Sequence, residues 1–171
     1  MNKLMLDANA FDFIFDNDSH LVPKLEASVN SNKLSLYMTH IQLDEIEKIK
    51  NTDKRKRIKE IIKLIKIQNI PTSSAVVGID SPSKHGFIGS KINMAKIMDD
   101  NDADILKKFQ RNITNPMGDS ADLSILYTAI KENMNYLVTN DIRLEKLLKK
   151  ISEEIPNTLE IKPNSSLLTD F

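Results

Sequence analysis

The sequence contains no cysteine among its 171 residues. Disulfide bonds, thiolate metal sites and cysteine nucleophiles are therefore excluded. The absence also fits a cytoplasmic protein, because disulfides are rare in reducing compartments. No apolar run is long enough to span a membrane, and the three apolar residues before Asp7 are too few for a signal-peptide core. We therefore expect a cytoplasmic protein with no membrane partner.

Net charge is also lacking, since 24 basic residues balance 24 acidic ones. A neutral protein has no overall field that would attract a polyanion. Residues 48–66 are an exception, because they contain nine Lys or Arg and two acids, a local net charge of +7. Within this stretch, the isoleucines of residues 54–66 recur at helical spacing, which predicts an amphipathic helix.

This basic helix is a candidate RNA-binding element, because phosphate contacts supply most non-specific affinity for nucleic acids. A solvated helix face is the simpler alternative. The candidate RNA contacts are Lys54, Arg55, Lys56 and Arg57.

Short apolar segments alternate with amphipathic ones along most of the chain. The predicted strands cover residues 4–6, 33–39, 75–79 and 136–141, with a last strand near 158–163. Predicted helices include residues 92–98, 103–111, 119–133 and 142–151. This alternation favours an α/β fold, a three-layer α/β/α sandwich around a mostly parallel central sheet. We expect a single domain over residues 1–171, with an expanded region at about 70–117.

Acidic residues recur where predicted strands end or helices begin. Asp7 and Asp141 each end a strand, Glu45 lies about two turns into a helix, and Asp119 and Asp122 begin another helix. In open α/β sheets, ligands bind beyond the carboxyl ends of the strands. Converging carboxylates repel one another and raise one another's pKa. Such a cluster is costly unless a cation offsets its charge.

Each acid also has a simpler structural explanation. The pair at the helix start suits the helix dipole, and Asp7 with Asn9 could form an Asx turn. Asp141 could cap the next helix, and Glu45 could be a solvated charge. Taken together, oxygen ligands without thiolates or a histidine cluster suit Mg²⁺ or Mn²⁺. These ions activate water and stabilise phosphate charge in phosphodiester hydrolysis.

Four segments resemble motifs of the PIN-domain nuclease family, which includes the toxin ribonucleases of toxin–antitoxin pairs. They are "LMLDANAF", "THIQLDEIEKI", "GDSADLSILYTAI" and "YLVTND". The resemblance implies a PIN-like α/β/α sandwich that hydrolyses single-stranded RNA. The interval from Glu45 to Asp119 is longer than in the compact toxins, so a role other than that of a standard toxin stays open.

The resemblance also implies roles for individual side chains. The matching catalytic acids are Asp7, Glu45, Asp122 and Asp141. The residues that would bind Mg²⁺ or Mn²⁺ are Asp7, Asp122, Asp141 and Asp119. The polar residues that would orient the acids or the attacking water are Asn9, Thr139 and Asn140. RNA is the expected substrate, and an antitoxin protein and a second copy of the chain are further candidate partners.

Two other hypotheses stay open at this point. In the first, a PIN-like fold serves as a non-catalytic RNA-binding or protein-interaction module, in which the basic helix matters and the acids do not. In the second, the chain is a receiver-like or phosphatase α/β domain, since these also place an Asp after the first strand. The haloacid-dehalogenase type needs a second Asp two residues later, where this chain has Asn9.

Overall fold

A computed structural model describes residues 1–75, 95–97 and 120–171. Its central sheet has five strands, and the spatial order is β3-β2-β1-β6-β7. All neighbouring strands in this sheet are parallel. The strands are β1 (Asn2–Leu6), β2 (Leu34–Thr39), β3 (Gln68–Ile70), β6 (Tyr136–Val138) and β7 (Glu160–Lys162). A separate parallel pair is formed by β4 (Thr72–Ala75) and β5 (Ala95–Ile97).

Helices follow most of the strands of the central sheet. They are α1 (Ala8–Asp16), α2 (Asp18–Asn30), α3 (His40–Glu47), α4 (Thr52–Leu64), α5 (Ser120–Lys131), α6 (Ile142–Glu154) and α7 (Ser166–Thr169). Within the described ranges, no helix is long and apolar enough to cross a bilayer.

The central strand β1 separates two hydrophobic cores. Leu4 and Leu6 pack into a core with the buried faces of α1, α2 and α4. Met5 packs on the opposite side, with α5 and α6. Successive side chains of a strand point to opposite faces of the sheet, so an uninterrupted apolar strand can serve both cores. The expected three-layer α/β/α sandwich is confirmed.

Strand β1 lies between β2 and β6, and this position determines which residues meet. Leu4 is opposite Leu36 of β2 on one side and Tyr136 of β6 on the other. Because all three strands run in the same direction, the residues that follow them gather at one edge of the sheet. Asp7 and Thr139 are the first residues after β1 and β6.

The helix after β2 begins with the expected capping box. The backbone N–H of Ile41 donates to Thr39 Oγ1 at 3.2 Å, and the Gln42 side chain accepts from the backbone N–H of Thr39 at 2.8 Å. These two bonds satisfy donors that would otherwise lack partners at the helix start. Helix α3 therefore begins directly at the strand end, which brings Glu45 to the same edge of the sheet.

The sequence-based prediction fails between the two halves of the sheet. Strand β3 was not predicted, and the helix expected over residues 92–98 is wrong, because Ala95–Ile97 pairs with Thr72–Ala75 as a strand. Short apolar segments have no periodicity that distinguishes strand from helix. The predicted strand at 75–79 and the expanded region at 70–117 lie mostly outside the described residues, and the predicted helix at 103–111 lies wholly outside them.

Candidate active site

Asp7 is a buried carboxylate, with 7% of its surface exposed. It is the N-cap residue of α1, yet its side chain makes no capping hydrogen bond. Instead it accepts from Thr139 Oγ1 at 2.7 Å and from Asn9 Nδ2 at 2.6 Å, both at Oδ2. Burial raises the pKa of Asp7, the charge of Asp141 raises it further, and the hydrogen bonds oppose both effects.

Asp122 lies in the first turn of α5 and has the most perturbed carboxyl of this site. Burial raises its pKa to about 7, against the opposing charge of Arg143. The charges of Asp7, Asp141 and Glu45 add to the rise. Since the charges of all three act on Asp122, the four carboxyl groups lie close enough to affect one another's ionisation. We call Asp7, Glu45, Asp122 and Asp141 the acid site.

Glu45 approaches the acid site from α3. The residue as a whole is exposed, so desolvation of its carboxyl is only partial. That desolvation raises its pKa, as does the charge of Asp7, whereas Lys48 lowers it. Glu45 is therefore coupled electrostatically to Asp7 from a position that solvent reaches.

Asp141 is paired with Arg143, two residues later. The carboxylate caps α6 by accepting from the Arg143 backbone N–H at 2.8 Å, so the interpretation of Asp141 as a helix cap is confirmed, while its catalytic role stays a prediction. Arg143 Nη2 lies 2.5 Å from Asp141 Oδ2 and 3.9 Å from Asp122 Oδ2. Its guanidinium hydrogen bonds lower the pKa of Asp141. A cation of the protein itself thus lies between two of the acids.

Two observations bear on whether the acid site suits a metal ion. Its donors are carboxylate oxygens, which Mg²⁺ and Mn²⁺ prefer, and their mutual repulsion favours a bound cation. However, no three His, Cys, Asp or Glu side chains in the described part of the chain are arranged to hold a metal together. The donor chemistry fits, and the geometry would require Arg143 to move away from Asp141. The remaining predicted ligand, Asp119, lies outside the described residues.

Thr139 connects two of the acids. Its hydroxyl donates to Asp7, and it accepts from Asn9 Nδ2 at 2.9 Å and from the backbone N–H of Asp141 at 3.0 Å. Asn140 donates its backbone N–H to Asn9 Oδ1 at 3.1 Å. The three polar residues predicted from the sequence therefore all contact the acid site or one another.

Two further residues join this site that the sequence-based prediction missed. Arg143 could have been suspected, because it follows Asp141 closely within the predicted helix. Asn164 carries no such signal, since it lies in a loop far along the chain and reaches the site only through the fold. It donates from Nδ2 to Asn9 Oδ1 at 2.9 Å and from its backbone N–H to Asn140 Oδ1 at 2.9 Å.

A cleft of about 340 Å³ opens beside Asp141. Ile142 lines this cleft, and 66% of the Ile142 surface is exposed. The cleft thus combines polar groups next to the acid site with apolar surface. Its lining residues are Thr139, Asn140, Asp141, Ile142, Glu145, Ile161 and Pro163.

The cations of the basic helix α4 are mostly engaged within the fold. Lys54 pairs with Asp12 at 2.8 Å, and Arg57 binds Asp18 at 2.7 Å. The Arg55 guanidinium donates to the carbonyl oxygens of residues 47 and 49 near the end of α3. Lys56 is exposed and has no hydrogen bond or ion pair within the part of the chain that the structure describes. RNA binding by these four residues stays a prediction, with Lys56 the most accessible of them.

No family model matches this sequence, and no curated protein matches it. Among solved structures, the chain is similar to the crystal structure of VapBC2 from Rickettsia felis bound to a DNA fragment from their promoter. The TM-score is 0.51 at 17% sequence identity, and the match covers 94% of this chain and 98% of that chain. At this identity the similarity shows the fold alone, which is α/β and PIN-like.

The raised pKa of Asp122 predicts how the free energy of unfolding changes with pH. Between about pH 4 and pH 7 the unfolded chain has released this proton while the folded protein retains it, so stability falls as pH rises. Compared with Asp122→Asn, the free energy of unfolding of the wild type should fall by at most about 1.4 kcal/mol per pH unit over this range and then level off. Urea unfolding across this pH range measures the difference.

The matched control for this pH experiment is Glu160→Gln, which changes an exposed acid on the edge strand β7, away from any helix start. Its stability curve should run parallel to that of the wild type. If the Asp122→Asn curve also runs parallel to the wild type, Asp122 does not titrate as the acid site requires.

Proposed function

We propose that this protein is a divalent-metal-dependent ribonuclease that cleaves single-stranded RNA in the cytoplasm. The observation that carries the proposal is the gathering of four carboxyl groups at one edge of the sheet, with Arg143 between Asp122 and Asp141. Burial and the three neighbouring acids raise the pKa of Asp122 to about 7 against the opposing Arg143. Carboxylates that repel one another at the carboxyl edge of a parallel sheet are stabilised when a cation binds between them. The PIN-like fold and the four sequence motifs support the same function.

Asp7, Asp122 and Asp141 would hold the ion, with Asp119 as a further ligand. The ion is expected to be Mg²⁺ or Mn²⁺, which would activate a water and stabilise charge on the phosphate. The Thr139 and Asn9 hydrogen bonds hold Asp7 in place, so little reorganisation of that carboxylate is needed. Glu45, the most exposed of the acids, would orient the attacking water or accept its proton.

Arg143 would act as an internal competitor of the metal. It pairs with Asp141 and lies near Asp122, yet its side chain is 67% exposed. It can therefore turn toward solvent without losing much packing. A guanidinium that leaves the carboxylate is also well suited to contact a phosphate of the RNA.

The alternative is a non-catalytic RNA-binding or protein-interaction module. It is favoured by one observation, that Arg143 already pairs with Asp141 while no ready set of three metal ligands exists in the described ranges. Addition of Mn²⁺ distinguishes the two functions, because a ligand that binds only the folded state must raise its melting temperature. A shift at millimolar Mn²⁺ supports the nuclease, and no shift supports the alternative.

A toxin role within a toxin–antitoxin pair is part of the proposal. It draws on the sequence motifs and on the similarity to VapBC2 from Rickettsia felis, a structure that contains a DNA fragment from the VapBC2 promoter. Expression of this chain alone should arrest growth of a bacterial host, and co-expression of a protein encoded beside it should restore growth. Arrest that no neighbouring product relieves would favour a ribonuclease outside such a pair.

The first functional prediction concerns Asp7→Asn. We expect this change to abolish RNA cleavage and the Mn²⁺-induced rise in melting temperature, because it removes a buried charge that would face the ion. The fold should be as stable or more stable, since carboxylate repulsion is relieved. Asp16→Asn, at the exposed far end of α1, is the matched control and should keep both properties. Undiminished metal-dependent cleavage by Asp7→Asn would overturn this role.

A second prediction concerns Arg143→Gln, which removes the competing cation. Mn²⁺ affinity measured by calorimetry should rise about two- to fivefold, the range that corresponds to an exposed ion pair. Lys146→Gln makes the same charge change at an exposed position on α6 and should leave the affinity near that of the wild type. Equal or weaker Mn²⁺ binding by Arg143→Gln would show that the guanidinium does not compete with the ion.

A third prediction concerns Lys56, the most accessible of the four predicted RNA contacts. In an Asp7→Asn background, which prevents cleavage, Lys56→Ala should weaken binding of single-stranded RNA. The slope of log affinity against log salt should fall by about 0.7, as expected for one lost phosphate contact. Lys149→Ala on α6 serves as the control. A salt slope identical to that of the parent would remove Lys56 from the RNA-binding surface.

A further inference from the structure

Asn164 is a polar residue buried in the segment between β7 and α7, with 2% of its surface exposed. Its side chain reaches across the fold instead of bonding within its own turn. Nδ2 donates to Asn9 Oδ1 at 2.9 Å and to the Asn9 carbonyl oxygen at 3.2 Å. Its own Oδ1 is buried without a hydrogen-bond partner among the described residues. The Asn164 side chain therefore donates hydrogen bonds to Asn9 although its own acceptor oxygen, Oδ1, stays unsatisfied, which is unfavourable for a buried group.

Asn164 provides one of the two donors that hold the Asn9 amide in its orientation. Asn9 Oδ1 accepts from two donors, Asn164 Nδ2 and the backbone N–H of Asn140. The two ends of an amide have nearly the same shape, so only such donors distinguish one orientation from the flipped one. With its oxygen held, Asn9 must present Nδ2 to Asp7 Oδ2 and to Thr139 Oγ1.

Asn164 is itself held by the chain around it. Its backbone N–H donates to Asn140 Oδ1, and its carbonyl oxygen accepts from the backbone N–H of Leu167 at 3.1 Å. Leu167 is fully buried in the core that lies under α1 and α2. A backbone hydrogen bond therefore ties Asn164, the donor to Asn9, to a residue of the hydrophobic core.

We propose that Asn164 is a positioning residue for the acid site, acting through Asn9. It keeps the Asn9 amide in the one orientation that donates to Asp7, and so keeps the Asp7 carboxylate turned toward the other acids. The orientation of Asn9 is a property of the fold alone. Its consequence for metal binding rests on the proposed function.

The direct test is hydrogen exchange of the Asn9 side-chain amide, followed by NMR without added metal. In the wild type, the two Nδ2 protons should be resolved and slow to exchange. In Asn164→Ala they should exchange about tenfold faster, as expected for loss of one supporting hydrogen bond. Asn157→Ala removes an asparagine whose side chain bonds to Ser152, Ile155 and Leu159, none of which contacts Asn9, and should leave the exchange of the Asn9 protons unchanged.

Metal affinity supplies the second readout. Asn164→Ala should weaken Mn²⁺ binding several-fold in the wild-type background and should have no further effect once Asn9 is replaced by alanine. A role in stability alone would leave Mn²⁺ affinity unchanged, and an equal loss in both backgrounds would mean that Asn164 acts by a route other than Asn9. Either result overturns the proposal.

The proposal and the nuclease function can fail separately. If the wild type binds no Mn²⁺, the proposed function fails, while the exchange rates still test the orientation of Asn9. If Asn164→Ala does not fold, hydrogen exchange of the wild type still tests the proposal. Fast exchange of the Asn9 Nδ2 protons in the wild type would contradict the hydrogen bonds described above. Slow exchange in both the wild type and Asn164→Ala would also overturn it.

Discussion

Parallel pairing of β1 with β6 is the constraint on which the rest of the site depends. The hydrogen-bond ladder continues one residue past each strand, since the Asp7 N–H donates to the Val138 carbonyl oxygen at 3.1 Å and the Thr139 N–H to that of Lys162 at 2.9 Å. The first residue after each strand is therefore held by backbone bonds and by its side chain. A shift of one residue would turn Asp7 to the other face of the sheet.

Around this rigid edge, the protein gathers negative charge from four separate elements. Two of the acids are shifted in opposite directions, because burial and like charge raise the pKa of Asp122 whereas the hydrogen bonds of Arg143 lower that of Asp141. Near neutral pH, such a site places a carboxyl that is partly protonated beside one that is ionised. Perturbed pKa values of this kind concentrate at functional sites. The same repulsion explains why a cation would be bound and why Arg143 lies where it does.

Much of the site could be predicted from the sequence, because the acids follow strands and the edge of a parallel sheet brings strand ends together. Asp7 and Thr139 belong to this predictable part. Asn164 does not, because it meets Asn9 across 155 residues, and no local pattern reports such a contact. Most ion pairs of the α4 cations were also not foreseeable, because the partner acids Asp12, Asp18 and Glu47 lie on other helices. The failed helix at 92–98 has a similar cause, since strand pairing outweighed local preference.

The central claim is that side chains from distant parts of the chain form one cation-binding site around Asp122. A crystal soaked in Mn²⁺ and measured at the manganese absorption edge tests it most directly. The account predicts an anomalous peak within coordination distance of Asp7, Asp122 and Asp141, with the guanidinium of Arg143 withdrawn from Asp141. A peak elsewhere, or no peak with Arg143 still paired to Asp141 at saturating Mn²⁺, would contradict it.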